Sequence, residues 1–130
     1  MVTSLQVRLI DNAAIKSRPD NYITVTVDVK RIMASWQASL FSYEWLLPDG
    51  RIKDPAELPE KEQPKREAVE NSLKKDEALE RPVLGIGLLE NVEIGSGRAV
   101  FLTLAAHGVQ TLDVHIPKSN KSEFTAFLAK

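Results

Sequence analysis

The stretch from Val83 to Pro117 constrains the fold more than any other part of the sequence. It holds three apolar runs, separated at Gly95-Ser96-Gly97 and at Gly108, and five of the six glycines in the chain. Short apolar runs bounded by glycine are typical of strands that end in turns. We therefore expect three strands here, with Gly95-Ser96-Gly97 as a hairpin turn.

The first half of the chain contains three further strand patterns. Residues 5–10 alternate, and residues 22–33 alternate β-branched with polar side chains more clearly than any other segment. Such residues favour a pleated, half-buried surface. Residues 38–47 carry bulky side chains on both faces, end at the turn signal Pro48-Asp49-Gly50, and are followed by a short return strand at 51–53. Strands with one polar and one apolar face predict antiparallel pairing.

A charged segment lies between the two groups of strands. Residues 51–81 carry 8 basic and 9 acidic side chains, and four of the seven prolines fall between positions 48 and 64. A proline-rich start predicts an exposed loop. The following residues, about 64–79, are rich in Glu, Lys, Ala and Leu and predict a charged helix with a thin apolar stripe. We expect the loop and helix at 48–82 to join two β halves.

The C-terminal residues predict a second, short helix. Asn120 and Glu123 have the spacing of a capping box, and Phe124, Phe127 and Leu128 follow at helical spacing. The whole pattern predicts one α+β domain over residues 1–130. It is mainly antiparallel, with about six strands in two three-stranded meanders, and either a sandwich or a partly open barrel fits.

Composition lowers the odds of several functions. The formal net charge is −1, so no basic excess favours nucleic acid, which we regard as an improbable partner. The absence of cysteine excludes disulfides and thiolate metal sites. The N-terminal residues do not have the pattern of a signal peptide, and no run of 18 apolar residues occurs. We expect a cytoplasmic protein without a membrane segment.

Both histidines lie in the Val83–Pro117 stretch. Asp113 and His115 share a face of the last predicted strand, and His107 ends the preceding run. If the two strands pair, these side chains could bind a divalent metal, or one histidine could act as a general base oriented by Asp113. Alternation by itself places polar residues outside, and the spacing matches no known metal or triad motif. We therefore predict no cofactor.

An aromatic cluster begins just before the third strand pattern of the first half and continues into it. Trp36, Phe41, Tyr43 and Trp45 include both tryptophans of the chain. They fit either a core strand or an exposed binding surface, since Trp and Tyr dominate the binding energy of protein interfaces. The sequence favours a non-enzymatic module that binds a protein partner or itself through these four residues. The alternatives are a small metal-dependent or acid/base enzyme built on the histidines, and a nucleic-acid-binding accessory protein.

Overall fold

A computed structural model describes residues 7–130 of the chain. These residues form the α+β structure that the sequence predicts, with antiparallel strand pairs and helices. The strands are β1 (Leu9–Ile10), β2 (Tyr22–Asp28), β3 (Leu79–Glu80), β4 (Leu84–Ile86), β5 (Val92–Ile94) and β6 (Thr111–Pro117), and the helices are α1 (Val29–Trp36), α2 (Gln63–Lys74) and α3 (Arg98–Ala106). Among the described residues, no helix combines the length and apolar character needed to cross a bilayer.

Two of the three strand pairs join distant parts of the chain, and the third is a local hairpin. β2 runs antiparallel to β6 from Tyr22 opposite Pro117 to Asp28 opposite Thr111, β1 runs parallel to β3, and β4 and β5 form a hairpin. The two predicted meanders are therefore wrong in their pairing. The result is three two-stranded sheets, so neither the sandwich nor the barrel is confirmed.

The predicted strand at 22–33 is correct only as far as Asp28. The Asp28 side chain accepts a hydrogen bond from the backbone N–H of Arg31 and caps α1. From there Val29, Ile32 and Trp36 recur at helical spacing and are all buried. A period of three to four residues replaces the period of two, which is why the chain turns into a helix.

The apolar run before Gly108 is a helix and not the predicted strand. α3 begins directly after Gly97, whose φ of +83° is left-handed, so Gly95-Ser96-Gly97 leads into a helix and is not a hairpin turn. Residues 101–104 are all buried, and a run buried on every side carries no periodic signal to separate helix from strand.

The predicted strand at 38–47 is also wrong, because this segment folds as consecutive turns and a short 3-10 helix at Ser42–Glu44. The hairpin that follows it is confirmed. Leu46 lies opposite Ile52 in an antiparallel bridge, and the backbone N–H of Gly50 donates to the Leu47 carbonyl at 2.8 Å.

The charged helix is confirmed as α2, which ends at Lys74 rather than near residue 79. The predicted C-terminal helix is shorter and tighter than expected, with 3-10 turns at Lys118–Asn120 and Glu123–Phe127. Phe124 is buried, and its ring packs edge-on against Phe127 at 5.8 Å between ring centroids. The aromatic stripe therefore docks onto the core as predicted, although the backbone is not α-helical.

One hydrophobic cluster contains residues of both halves. Trp36 and Trp45 from the first half pack in the same core as Ile94, Phe101 and Ile116 from the second. Burial of this cluster removes large side chains from water, at roughly 25 cal/mol per Å² of apolar surface. The core thus lies between α1, α3 and the inner faces of β5 and β6.

Candidate interaction surface

The structure divides the four aromatic residues singled out by the sequence. Trp36 and Trp45 are fully buried, whereas Phe41 is 51% exposed and Tyr43 is 69% exposed. The tryptophans therefore belong to the core, and their assignment to a partner-binding surface is wrong. Phe41 and Tyr43 remain accessible to a partner.

The turns after α1 put Phe41 and Tyr43 outside. The Ser39 backbone N–H donates to the Trp36 carbonyl at 2.8 Å, and the Ser39 hydroxyl accepts from the Phe41 backbone N–H at 3.1 Å. These local bonds replace the ladder of a strand and reverse the chain at Leu40, which is 77% exposed. Leu40, Phe41 and Tyr43 consequently project from a loop whose ends are anchored by the two buried tryptophans.

A second apolar projection is the tip of the β4–β5 hairpin, residues 87–91. Leu88 is fully exposed and Leu89 is 64% exposed. Glu90 beside them has a φ of +63°, a left-handed conformation that side chains other than glycine seldom adopt. The tip therefore combines exposed leucines with a strained backbone.

Glu93 joins the two projections. Its Oε1 accepts a hydrogen bond from the Ser39 hydroxyl at 2.6 Å, and its Oε2 accepts from Asn91 Nδ2 at 3.0 Å. A Cβ placed on Gly87 would lie 2.8 Å from Glu93 Cγ, so glycine is what lets the tip approach this carboxylate. The Glu93 carboxylate therefore links the loop at Ser39 to the hairpin at Gly87 and Asn91. We call Leu40, Phe41, Tyr43, Leu88 and Leu89 together the apolar surface.

The apolar surface contains five of the six large hydrophobic side chains that residues 7–130 leave exposed; the sixth is Ile10. On monomeric proteins, the largest apolar patch is roughly 300–600 Å² and is often functional. Single exposed hydrophobic residues are common, but this concentration on two adjacent loops is not explained by packing within the chain.

A shallow groove of about 520 Å³ begins at Tyr43. Its walls combine apolar and polar side chains: Gln37, Ser42, Tyr43, Leu46, Leu47, Pro48, Gly50 and Lys53. We call it the Tyr43 groove. Tyr43 thus belongs both to the groove and to the apolar surface.

Charged side chains contact the loop that bears Phe41 and Tyr43. The Arg98 guanidinium lies 5.1 Å from the centroid of the Phe41 ring and 5.8 Å from that of Trp36, which is cation–π geometry. Glu44 is buried and binds Lys61 at 2.7 Å. That hydrogen bond and the Glu44 charge raise the pKa of Lys61. These contacts hold the loop that bears Phe41 and Tyr43 in position.

The histidines have separate partners. His107 caps the end of α3, and its Nε2 lies 2.7 Å from Glu70 Oε1 on α2. Glu70 Oε2 in turn accepts from Arg66 Nε at 2.9 Å. Glu70 was missed as a partner of His107, because only the packing of α2 on α3 brings them together.

His115 is 1% exposed, so the expectation that it faces outward is wrong. It contacts Asn12 and Thr24, whereas Asp113 accepts a hydrogen bond from the Thr26 hydroxyl at 2.5 Å. Within residues 7–130, no group of three or more His, Asp or Glu side chains could hold a metal ion. These contacts do not unite His107, Asp113 and His115 in one site.

Basic residues are also paired. The basic side chains that a nucleic-acid surface would use are Arg8, Arg18, Lys30, Arg31 and Arg98. Three of them lie close to carboxylates: Arg8 to Asp76, Arg31 to Asp28 and Arg98 to Glu44. Paired charges of this kind weaken the electrostatic footprint that a polyanion requires.

Comparison with known proteins supplies no relative. No family model fits the chain, and no curated protein or solved structure matches it significantly. The case for a function therefore depends on the surface geometry alone.

Proposed function

We propose that this protein is a non-enzymatic interaction module whose apolar surface binds a second copy of the same chain. The observation that carries the proposal is the concentration of exposed apolar side chains on two loops joined through Glu93. Burying such a surface between two molecules would remove it from water, which is the main driving force of association.

A second copy fits this surface because projection and groove occur on one molecule. In a two-fold symmetric interface, residue i contacts residue j of the partner and j contacts i. The exposed Leu88 and Leu89 can enter the Tyr43 groove of the other chain, and the reverse contact forms at the same time. The groove and the tip each find their complement without a second kind of protein.

The electrostatics also favour self-association. The net charge of −1 gives little repulsion between copies. Lys53 lines the groove, and Asp49 and Arg51 flank the groove residue Gly50 in the chain, so both signs of charge occur on this hairpin. A mixed rim around an apolar centre is the usual anatomy of a protein interface.

Sedimentation velocity over a micromolar concentration range tests the proposal. The wild-type chain should sediment as a concentration-dependent dimer. The double variant Leu88→Ser/Leu89→Ser should raise the dimer Kd at least about tenfold, since the loss of an interface anchor costs above ~1.4 kcal/mol. The control is Ile10→Ser, which removes the one large hydrophobic residue that is exposed outside the apolar surface within residues 7–130, and it should leave the Kd unchanged.

A monomeric wild type over the whole range would reject self-association. Equal weakening by Ile10→Ser and by the double variant would also reject it, since the effect would then not belong to the apolar surface. Circular dichroism of each variant checks that the fold is retained.

A further inference from the structure

His115 is buried, and both of its ring nitrogens have hydrogen-bonding partners. Nε2 lies 3.2 Å from the backbone nitrogen of Asn12, and Nδ1 lies 3.1 Å from the Thr24 hydroxyl. A backbone N–H can only donate, so Nε2 must be the acceptor and carry no proton. The single ring proton then lies on Nδ1 and donates to Thr24. The geometry requires a neutral imidazole in one tautomer.

The bond to His115 is part of a set that docks residues 11–15 onto the protein. The Asn12 side chain accepts from the Ala14 backbone N–H at 2.8 Å and donates to the Arg81 carbonyl at 2.9 Å. The backbone N–H of Ala13 donates to Glu80 Oε2 at 2.7 Å. Ile15 at the end of this segment is buried. In this set, the bond to His115 is one that a change of pH between 5 and 7 can remove directly.

The charges around the ring do not compensate for a positive imidazole. Asp11 Oδ1 lies 3.8 Å from Nε2, but it is already bound to Arg81 Nη1 at 2.8 Å and is exposed to water. Asp113 lies two residues along β6 and is bound to Thr26 on β2. Burial lowers the pKa of His115 and is the largest effect. The charge of Asp11 raises the pKa by less, and the charge of Arg81 adds a smaller further lowering.

We propose that His115 acts as a pH-sensitive latch that holds residues 11–15 against β6 at neutral pH and releases them when the ring is protonated. A protonated ring presents an N–H to the Asn12 N–H, so two donors face each other and the bond is lost. This inference concerns a part of the molecule away from the apolar surface and does not depend on self-association.

The sign of the pH effect follows from linkage. The pKa of His115 is lower when residues 11–15 are docked against it than when they are released. In the released state, water reaches the ring and its pKa lies closer to the ordinary value of about 6.5. The released state therefore binds more protons, and acid favours it. Between about pH 6.5 and the lowered pKa of the docked state, the population of released segment should rise about tenfold for each pH unit. Above about pH 6.5 it should not change.

Amide hydrogen exchange followed by NMR tests the latch. The protection factor of the Asn12 amide should be constant between pH 7.5 and 6.5. Below pH 6.5 it should fall by about tenfold per pH unit until the pH reaches the lowered pKa of the docked state. The Gly95 amide, which donates to the Val83 carbonyl, serves as the internal control and should keep its protection. A flat profile for Asn12 would overturn the proposal.

Two matched variants assign the effect. His115→Gln offers a non-titrating acceptor and should abolish the pH dependence at Asn12, whereas His107→Gln should preserve it. The same slope in His115→Gln would contradict the proposal. Since that variant could fail to fold, the ring nitrogen shifts of the wild type provide a second readout. They should show the Nδ1–H tautomer at pH 7.5, and an Nε2–H tautomer would overturn the latch.

Discussion

Trp45 places its whole ring in the core and satisfies its one polar group there. Its Nε1–H donates to Glu62 Oε1 at 2.9 Å, and Glu62 Oε2 binds Lys65 at 3.0 Å. Hydrogen bonds of this kind remove the cost of burying the indole N–H. The sequence predicted that Trp45 would be either core or interface, but it could not decide, because the partner Glu62 lies in a different part of the chain.

Glu62→Ala should destabilise the protein by about 1–3 kcal/mol, because the buried indole N–H of Trp45 loses its acceptor. The control is Glu60→Ala on an exposed position, which should change stability by less than about 0.5 kcal/mol. Urea denaturation at pH 7 measures both. Equal effects of the two substitutions would show that the Trp45–Glu62 bond contributes nothing.

Glu70 predicts a specific pH dependence of stability. Burial raises its pKa, but hydrogen bonds from Arg66 and His107 outweigh burial and leave the pKa below the ordinary value of 4.5. The folded state thus binds this proton less readily than the unfolded state. The stabilisation is complete above about pH 4.5 and is lost as the pH falls through the lowered pKa.

Glu70→Gln should therefore flatten the loss of stability below pH 4.5, as measured by urea denaturation at a series of pH values. Glu67→Gln, an exposed neighbour on α2, should keep the wild-type profile. An unchanged slope in Glu70→Gln would mean that the contacts to Arg66 and His107 do not set this dependence.

At the scale of elements, the end of α3 carries a glycine stop signal that the strand prediction did not use. The N–H groups of Gly108 and Val109 donate to the carbonyls of Ala105 and Leu104, which is the Schellman arrangement that ends helices at glycine. The sequence prediction places Gly108 in a turn between two strands. A glycine directly after an apolar run also ends helices, and this is its role here. Since Phe101–Leu104 are buried on all sides, only the glycines could have identified the helix.

The two glycines that flank α3 provide a matched test of local backbone requirements. Both have positive φ, at +83° for Gly97 and +86° for Gly108, so alanine should cost about 1–2 kcal/mol at either position. At Gly97 a Cβ would also lie 2.9 Å from Pro82 Cα, whereas at Gly108 nothing lies within 4 Å. Thermal denaturation should show a larger loss for Gly97→Ala. Equal losses would contradict this packing of Gly97 on Pro82.

At the scale of the whole molecule, the sequence predicted the α+β class and the charged helix. It could not predict strand pairing, because β2 pairs with a strand more than eighty residues away and alternation does not specify the partner. It identified Phe41 and Tyr43 as surface candidates but not Leu88 and Leu89. The sequence of a hairpin with glycine and leucine at its tip does not indicate whether the leucine side chains are buried or exposed.

The apolar surface is a property of the folded molecule rather than of any one segment. Its two loops lie about fifty residues apart in the chain and meet through the Ser39–Glu93 hydrogen bond. Leu88 and Leu89 do not belong to the hydrophobic core cluster, and their side chains are exposed. They could therefore contact a second molecule. We therefore expect the hairpin tip of one copy to contact the Tyr43 groove of another.

Disulfide trapping tests that contact most directly, since the chain has no cysteine of its own. Leu88→Cys molecules mixed with Lys53→Cys molecules under mild oxidation should form the mixed disulfide faster than Leu88→Cys mixed with Ile10→Cys. Lys53 lines the groove, and Ile10 is an exposed position outside it. Rapid, selective cross-linking of positions 88 and 53 is the predicted result. Cross-linking no faster than in the Ile10→Cys mixture would contradict the account.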